Sequence, residues 1–194
     1  MTAPGGPVTA PSSELAPLPL VPGTWTLDTA HSAISFQIRH LGVTNVRGRF
    51  DTFSATLAVG ETLQSVAVEA SIDLASINTN QADRDAHLRS TDFFDLAAHP
   101  AMTFVSSSIS GSGEEYELTG DLSINGVTKP VTFAVEFYGV DTHPADGRVR
   151  SGFSATGEIK RSDYGINFNM PLGAGKLALA DKVKIELDLQ FIAP

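Results

Sequence analysis

The sequence predicts an all-β fold, one antiparallel up-and-down barrel of about eight strands, with a flat sandwich as the rival arrangement. Three observations lead there. Apolar residues recur at every second position in runs from Ile34 to Phe191, the period of a strand with one face in a core and the other in water. Clusters of Gly, Asn and Pro separate those runs. A helical period suits one short stretch, residues 80–95.

Residues 1–22 are rich in Pro, Ala, Ser and Gly, a composition that buries too little to offset the entropy of ordering. They read as a flexible tail, and a single barrel domain then spans residues 23–194. Ile34, Phe36 and Ile38 alternate with Ser35, Gln37 and Arg39, and the beat returns in Val66, Val68, Ala70 and Ile72 and in Met102 and Phe104. Between the last two runs it stops. Asn80 can cap a helix carrying Arg84, Asp85, His87 and Leu88, a further turn holds Phe93 and Phe94, and His99-Pro100 ends the excursion. Leu118, Leu122 and Ile124 then alternate with Glu117, Asp121 and Ser123. Asn125-Gly126 is a hairpin turn pair, and it leads into Val131, Phe133, Val135 and Phe137. Residues 164–176 read as a long loop, the kind of segment that carries function at a barrel mouth. In the last strand Val183, Ile185, Leu187, Leu189 and Phe191 face one way, and Lys184, Glu186, Asp188 and Gln190 the other.

A barrel of about eight strands either fills with side chains or holds one small ligand. Here the inward positions mix Phe36, Phe133 and Phe153 with Gly48, Ala70, Gly120 and Ala155, and the small residues are expected to leave room. The expected tunnel lining is Ile34, Phe36, Ile38, Phe50, Val68, Ile72, Phe104, Leu122, Ile124, Phe133, Val135, Phe137, Phe153, Phe168, Val183, Ile185, Leu187 and Leu189.

Composition removes several other functions. The chain has no cysteine, which excludes disulfide scaffolds, cysteine zinc sites and thiol nucleophiles. Its formal net charge of -9, with 13 scattered Lys and Arg, repels a phosphate backbone, so nucleic acid is not an expected partner. The same charge argues against an anionic membrane surface. No apolar run reaches the roughly 20 residues of a spanning helix, so the chain is not expected to be an integral membrane protein. The first basic residue is Arg39, and Pro17 and Pro19 interrupt Leu15 to Val21. Without a secretory signal pattern, the sequence predicts a cytoplasmic location.

His40 shares the parity of Ile34, Phe36 and Ile38. Its imidazole therefore points inward near a barrel end, as a partner for a ligand's polar head or for a backbone carbonyl. Arg84, Asp85 and His87 on the helix, with Arg161, Asp163 and Asn167 around the long loop, form either a polar collar for that head group or an ion-pair network tying helix to barrel. Asp28 and His31 read as turn residues, and Arg47 and Arg49 as solvated. The five histidines show no metal-ligand spacing, so no metal is expected. No Gly-x-Ser-x-Gly elbow occurs. Gly173-Ala174-Gly175-Lys176 fails as a phosphate loop, because Met170 stands where a glycine is needed and Leu177 follows the lysine.

Taken together, Leu27-Asp28, His31-Ser32, Phe36, His40, Gly48-Arg49-Phe50, residues 80–88 with Arg84-Asp85 and His87-Leu88, Phe93-Phe94, Pro100, Phe104, Gly120 to Leu122, Gly126-Val127-Thr128, Gly152-Phe153 and Arg161 to Ile166 form an ordered set. In order and spacing this set closely resembles the YceI-like, or polyisoprenoid-binding, family from about Gly23 to Ile192. The resemblance implies a lipocalin-like extended barrel around an amphiphilic isoprenoid, such as a polyprenyl phosphate or a quinone tail. It offers a periplasmic or extracellular location as the alternative, since many members are exported. Barrels of this class often form homodimers, and no residue here marks the surface.

The leading expectation is a protein that binds, and carries or stores, an isoprenoid, a quinone or another fatty-chain lipid, with no catalytic cofactor. Two rivals stand beside it. One is an enzyme acting on an apolar substrate through His40, Arg161 and Asp163. The other is a stress or redox accessory module that works through its surface.

Overall fold

A computed structural model describes residues 18–194. Each of the first three barrel strands is broken once. β1 (Gly23–Leu27) and β2 (Ala33–His40) flank a single 3-10 turn, Thr29–His31, whose start Asp28 caps by accepting from the Ala30 amide. β3 (Thr44–Phe50) and β4 (Phe53–Val59) are separated by a bend, and β5 (Ala67–Asp73) and β6 (Ile77–Asn78) by a 3-10 turn that Asp73 caps. The helix α1 (Ala82–Leu88) follows. The remaining long strands are β7 (Ala101–Ser112), β8 (Glu115–Ile124), β9 (Val127–Thr142), β10 (Val149–Lys160) and β13 (Leu179–Ile192).

With each broken pair taken as one strand, the order round the sheet is the order along the chain, an eight-stranded antiparallel meander. β13 closes it. One edge of β13 pairs with β10, and the other pairs first with β2 (Ile185 opposite Phe36) and then with β1 (Phe191 opposite Leu27). Closure leaves no free ladder groups at a long edge. The β8–β9 connection is the expected tight turn: Asn125 and Gly126 both take positive φ, 51° and 74°, as a two-residue hairpin of this hand requires.

Three expectations change. The helical excursion contracts to α1, and Gln81 rather than Asn80 caps it, because Asn80 sits in the left-handed region at φ 60° and the Gln81 side chain accepts from the Arg84 amide. Phe93 lies in a turn and Phe94 in the irregular backbone just after it, instead of in a helix. Asn125 ties that segment to the β8–β9 turn, donating to the Phe93 carbonyl at 2.8 Å and accepting from the Asp95 amide at 3.1 Å. Within the long loop, β11 (Pro171–Gly173) and β12 (Lys176–Leu177) form a small separate hairpin. Of the stretch read as a tail, residues 1–17 lie outside the described residues, whereas Leu18 and Leu20 are packed, at 5% and 8% exposure.

The core divides into two clusters along the barrel. One gathers Trp25, Leu57, Leu63, Phe137, Phe153 and Phe191 with Leu18 and Leu20. The other runs from Ile34 and Phe50 through Phe104 and Phe133 to Tyr164 and Ile166, under α1 and the long loop.

Candidate functional site: a two-chambered interior

The interior is not filled. An inner chamber of about 130 Å³ and an outer one of about 320 Å³ share Ile34, Met102 and Ile185 in their walls. Among the expected lining residues, Val68, Ile72, Phe104, Leu122, Phe133, Val135, Phe153, Leu187 and Leu189 face the inner chamber. Phe36, Ile38, Phe50, Ile124, Phe168 and Val183 face the outer one. These placements follow from the period-two pattern, since inward parity is conserved along an unbroken strand.

Phe137 departs from the expectation. It is buried beyond the chamber in the Trp25 cluster, its ring 5.2 Å from that of Phe153. The small inward residues also divide. Ala70 and Ala155 do line the inner chamber. Gly48 and Gly120 do not leave space, because the Phe36 ring lies where a Cβ on Gly48 would stand, and the Phe104 ring does the same over Gly120. An aromatic side chain laid across a strand glycine restores the packing that the glycine lacks.

The two chambers differ chemically. The inner wall is apolar throughout, whereas the outer wall includes Ser35, His40, Thr79, Arg84, His87 and Arg161. Four of the seven residues expected around a head group, His40, Arg84, His87 and Arg161, thus meet at one chamber. Asp163 and Asn167 do not join them; both side chains are exposed, Asp163 because the 3-10 turn Arg161–Tyr164 directs Arg161 and Tyr164 inward and its intervening residues outward, and Asn167 in the loop beyond that turn.

Arg161 is buried at 7% exposure, and it is tied to backbone instead of a carboxylate: Nε donates to the Ala180 carbonyl at 3.0 Å and one terminal nitrogen to the carbonyls of Ile166 and Phe168, both at 2.8 Å. Burial lowers its pKa, and the nearby Asp181 opposes that shift. Burial in turn raises the Asp181 pKa, but hydrogen bonds from the Ser162 hydroxyl and amide, with Arg161 and Lys160 nearby, leave it below its ordinary value. Arg84 folds over Thr79, donating from Nε to the hydroxyl at 2.7 Å and from a terminal nitrogen to the carbonyl at 2.9 Å. Asp85, expected in the collar, is buried and accepts from the Thr79 amide at 2.8 Å and from its hydroxyl. His87 stands edge-on to Phe93 and Phe168, with ring centroids at 5.2 Å and 4.8 Å, and its Nε2 lies 2.8 Å from Asp92.

Sequence reasoning missed Thr79, the buried hub between Arg84 and Asp85, and Leu18 and Met102 in the walls. The spacing of Leu18 and Leu20 in an otherwise Pro-rich stretch was a period-two signal. Thr79 carried none, since its place depends on the chain turning at Asn80. Among the described residues, no three His, Asp or Glu side chains gather as metal ligands, and no helix is long and apolar enough to cross a membrane.

A closed meander barrel with an all-apolar inner chamber and a largely apolar outer one that also admits a few polar side chains defines a lipocalin-like barrel with a built interior cavity. The chain belongs to the YceI-like family: the YceI-like domain model matches residues 25–191. It is 42% identical over 168 residues to a UPF0312 protein of Staphylococcus aureus strain MSSA476, across 86% of this chain and 96% of that one. Among solved structures it is similar to BcnA of Burkholderia cenocepacia, with a TM-score of 0.70 and 28% identity over 84% of this chain and 98% of that one. A YceI protein of Campylobacter jejuni gives 0.68 and 31% over 87% and 97%. A polyisoprenoid binding domain from Saccharophagus degradans shares the fold at a TM-score of 0.62 and 18% identity, over 88% and 98%.

Proposed function

We propose that this barrel binds one long-chain amphiphilic lipid, an isoprenoid, a quinone or a fatty chain, and carries or stores it. The observation that carries this reading is the pair of adjoining apolar chambers, of which only the outer one has polar side chains in its wall. The chain end lies in the all-carbon inner chamber, and the polar head stays in the outer one beside His40, Arg84, His87 and Arg161. Support comes from size: an apolar cavity of about 150 Å³ already accepts a benzene-sized molecule and stays dry, and small-molecule sites start near roughly 300 Å³. The Saccharophagus degradans domain of the same fold is described as polyisoprenoid binding, which agrees with this reading.

Energetically, about ten buried chain carbons at roughly 0.8 kcal/mol each contribute on the order of 8 kcal/mol. That exceeds an association cost of at least about 4 kcal/mol. The test is solvent extraction of the purified protein with mass spectrometry of the extract, followed by titration with prenyl chains of graded length. Affinity should rise by about fourfold per added methylene until the chambers are full. An extract without lipid, together with affinity indifferent to chain length, would overturn the proposal.

A further inference from the structure

Of the nine large apolar side chains exposed on the described surface, five sit on two neighbouring loops: Leu41 and Val43 in the β2–β3 turn, and Met170, Leu172 and Leu177 on the β11–β12 hairpin and its approach. Backbone bonds hold these loops together. The Leu41 amide donates to the Ala178 carbonyl at 2.8 Å, and the Ala178 amide donates to the Met170 carbonyl at 2.9 Å. Val43 is 77% exposed and Leu177 56%. Clustered exposure of this kind marks an interaction surface. Met170 also lines the outer chamber, so the apolar patch is continuous with the chamber mouth.

Charge identifies the partner. The chain as a whole carries -9, yet no Asp or Glu occurs between Asp28 and Asp51 or between Asp163 and Asp181. Those two segments hold Arg39, Arg47, Arg49 and Lys176. Arg49 pairs with Asp51, and the other three take part in no ion pair among the described residues. Lys176 on the hairpin and Arg39 beside the β2–β3 turn set unpaired cations next to these apolar tips, while Asp181, three residues past Ala178, is held by the Ser162 amide and hydroxyl; such a surface complements hydrocarbon beneath anionic head groups. A second copy meeting this patch across a two-fold axis would set the same cations against each other. The total charge, which argued against a membrane surface, is mostly out of range here, because screening confines the field to roughly 8 Å.

The geometry points to these two loops as a docking surface for a lipid bilayer bearing anionic head groups, with the mouth of the outer chamber held at head-group level. The inference extends the cavity reading, for which a bilayer is the source and destination of the cargo. Its test is separate: vesicle binding requires no cargo, and titration with free chains requires no vesicle.

The experiment is flotation of the full chain with vesicles of phosphatidylcholine and phosphatidylglycerol, and with vesicles of phosphatidylcholine alone. Wild-type protein should float with the anionic vesicles and lose binding as salt is added. The double variant Val43→Asp, Leu177→Asp should lower the bound fraction about tenfold or more, and Lys176→Glu about fivefold. Neither variant touches a chamber wall, so circular dichroism and binding of a fluorescent fatty acid should match the wild type. Absence of flotation at low salt, or undiminished flotation of the double variant, would overturn the inference. So would a wild-type dimer that the double variant separates, since the patch would then be a self-interface.

Discussion

The two ends of this barrel are built from the same alternating strands and closed by different physics. At the inner end, Trp25, Leu63 and Phe191 pack with Leu18 and Leu20 in an apolar cluster, with the Asp28–Arg150 ion pair on the adjoining strand ends. At the outer end, Arg161, Arg84, Asp85 and Thr79 hold a loop and a helix over the chamber through hydrogen bonds to backbone and hydroxyl groups. Close packing fills the volume it stabilises. A buried guanidinium spanning three carbonyls stabilises a loop from its flank, so the space beneath can stay open. The difference teaches how one barrel is both plugged and hollow.

The inner end should be the more fragile to truncation. Trp25 is 1% exposed, and its indole nitrogen donates to the Val21 carbonyl at 3.0 Å. Trp25→Ala is expected to cost about 3 to 5 kcal/mol, read as a fall in denaturant midpoint by far-ultraviolet circular dichroism. A loss below about 1 kcal/mol would show that this end is not close-packed.

At the outer end the informative change is Arg161→Met, which keeps much of the volume and removes the donors. Leaving the Ala180, Ile166 and Phe168 carbonyls without their partner should cost about 2 to 3 kcal/mol. Hydrogen exchange should speed up across residues 164–180 while the amides around Trp25 keep their protection. Uniform acceleration would mean that the two ends are one cooperative unit, and the comparison would fail.

How far this contrast was legible in the sequence depends on the range of the forces involved. Strand parity is local, so Ile34 to Ile38 and Val183 to Leu189 gave their inward faces directly. Phe137 was misassigned because parity tells inside from outside but not how far along the axis a chamber extends. Gly48 and Gly120 were misread as vacant because the rings that cover them come from other positions: Phe36 lies opposite Gly48 in the ladder, and Phe104 reaches Gly120 diagonally. The convergence of His40, Arg84, His87 and Arg161 was legible as a set of polar residues near predicted strand and loop ends. The bonding of Arg161 to carbonyls was not, since it depends on the 3-10 turn after β10 and on the course of the long loop.

The size of the chambers gives a milder probe. Ala70 lines the inner chamber opposite Ala55 and Phe104 on neighbouring strands. Ala70→Phe should shorten the longest chain accepted. If the new ring displaces about two methylenes, affinity for that longest chain falls by about 1.5 kcal/mol, while chains short enough to stay in the outer chamber bind as before. Equal losses for long and short chains would mean that the inner chamber takes no part in binding.

The smallest effect at neutral pH is expected at Tyr164, where the two kinds of closure meet. Its ring is 1% exposed within the main core cluster, and its hydroxyl is buried without a hydrogen-bond partner among the described residues. Burial, with Asp163 adding to it, pushes the phenol up from 10.0 to about 12. A raised folded-state pKa means that the folded chain holds this proton more tightly than the unfolded one does. The associated stability is therefore complete below the unfolded value and is lost as pH rises from about 10 through about 12. Tyr164→Phe removes a buried, unpaired hydroxyl and leaves the ring, so stability at pH 7 should rise by about 1 kcal/mol. The alkaline limb should respond more clearly. The variant should keep its stability to higher pH than the wild type, because the group whose ionisation favours the unfolded chain is gone. Superimposable alkaline unfolding curves would show that the hydroxyl is solvated, and that the outer end is looser beneath Arg161 than its packing implies.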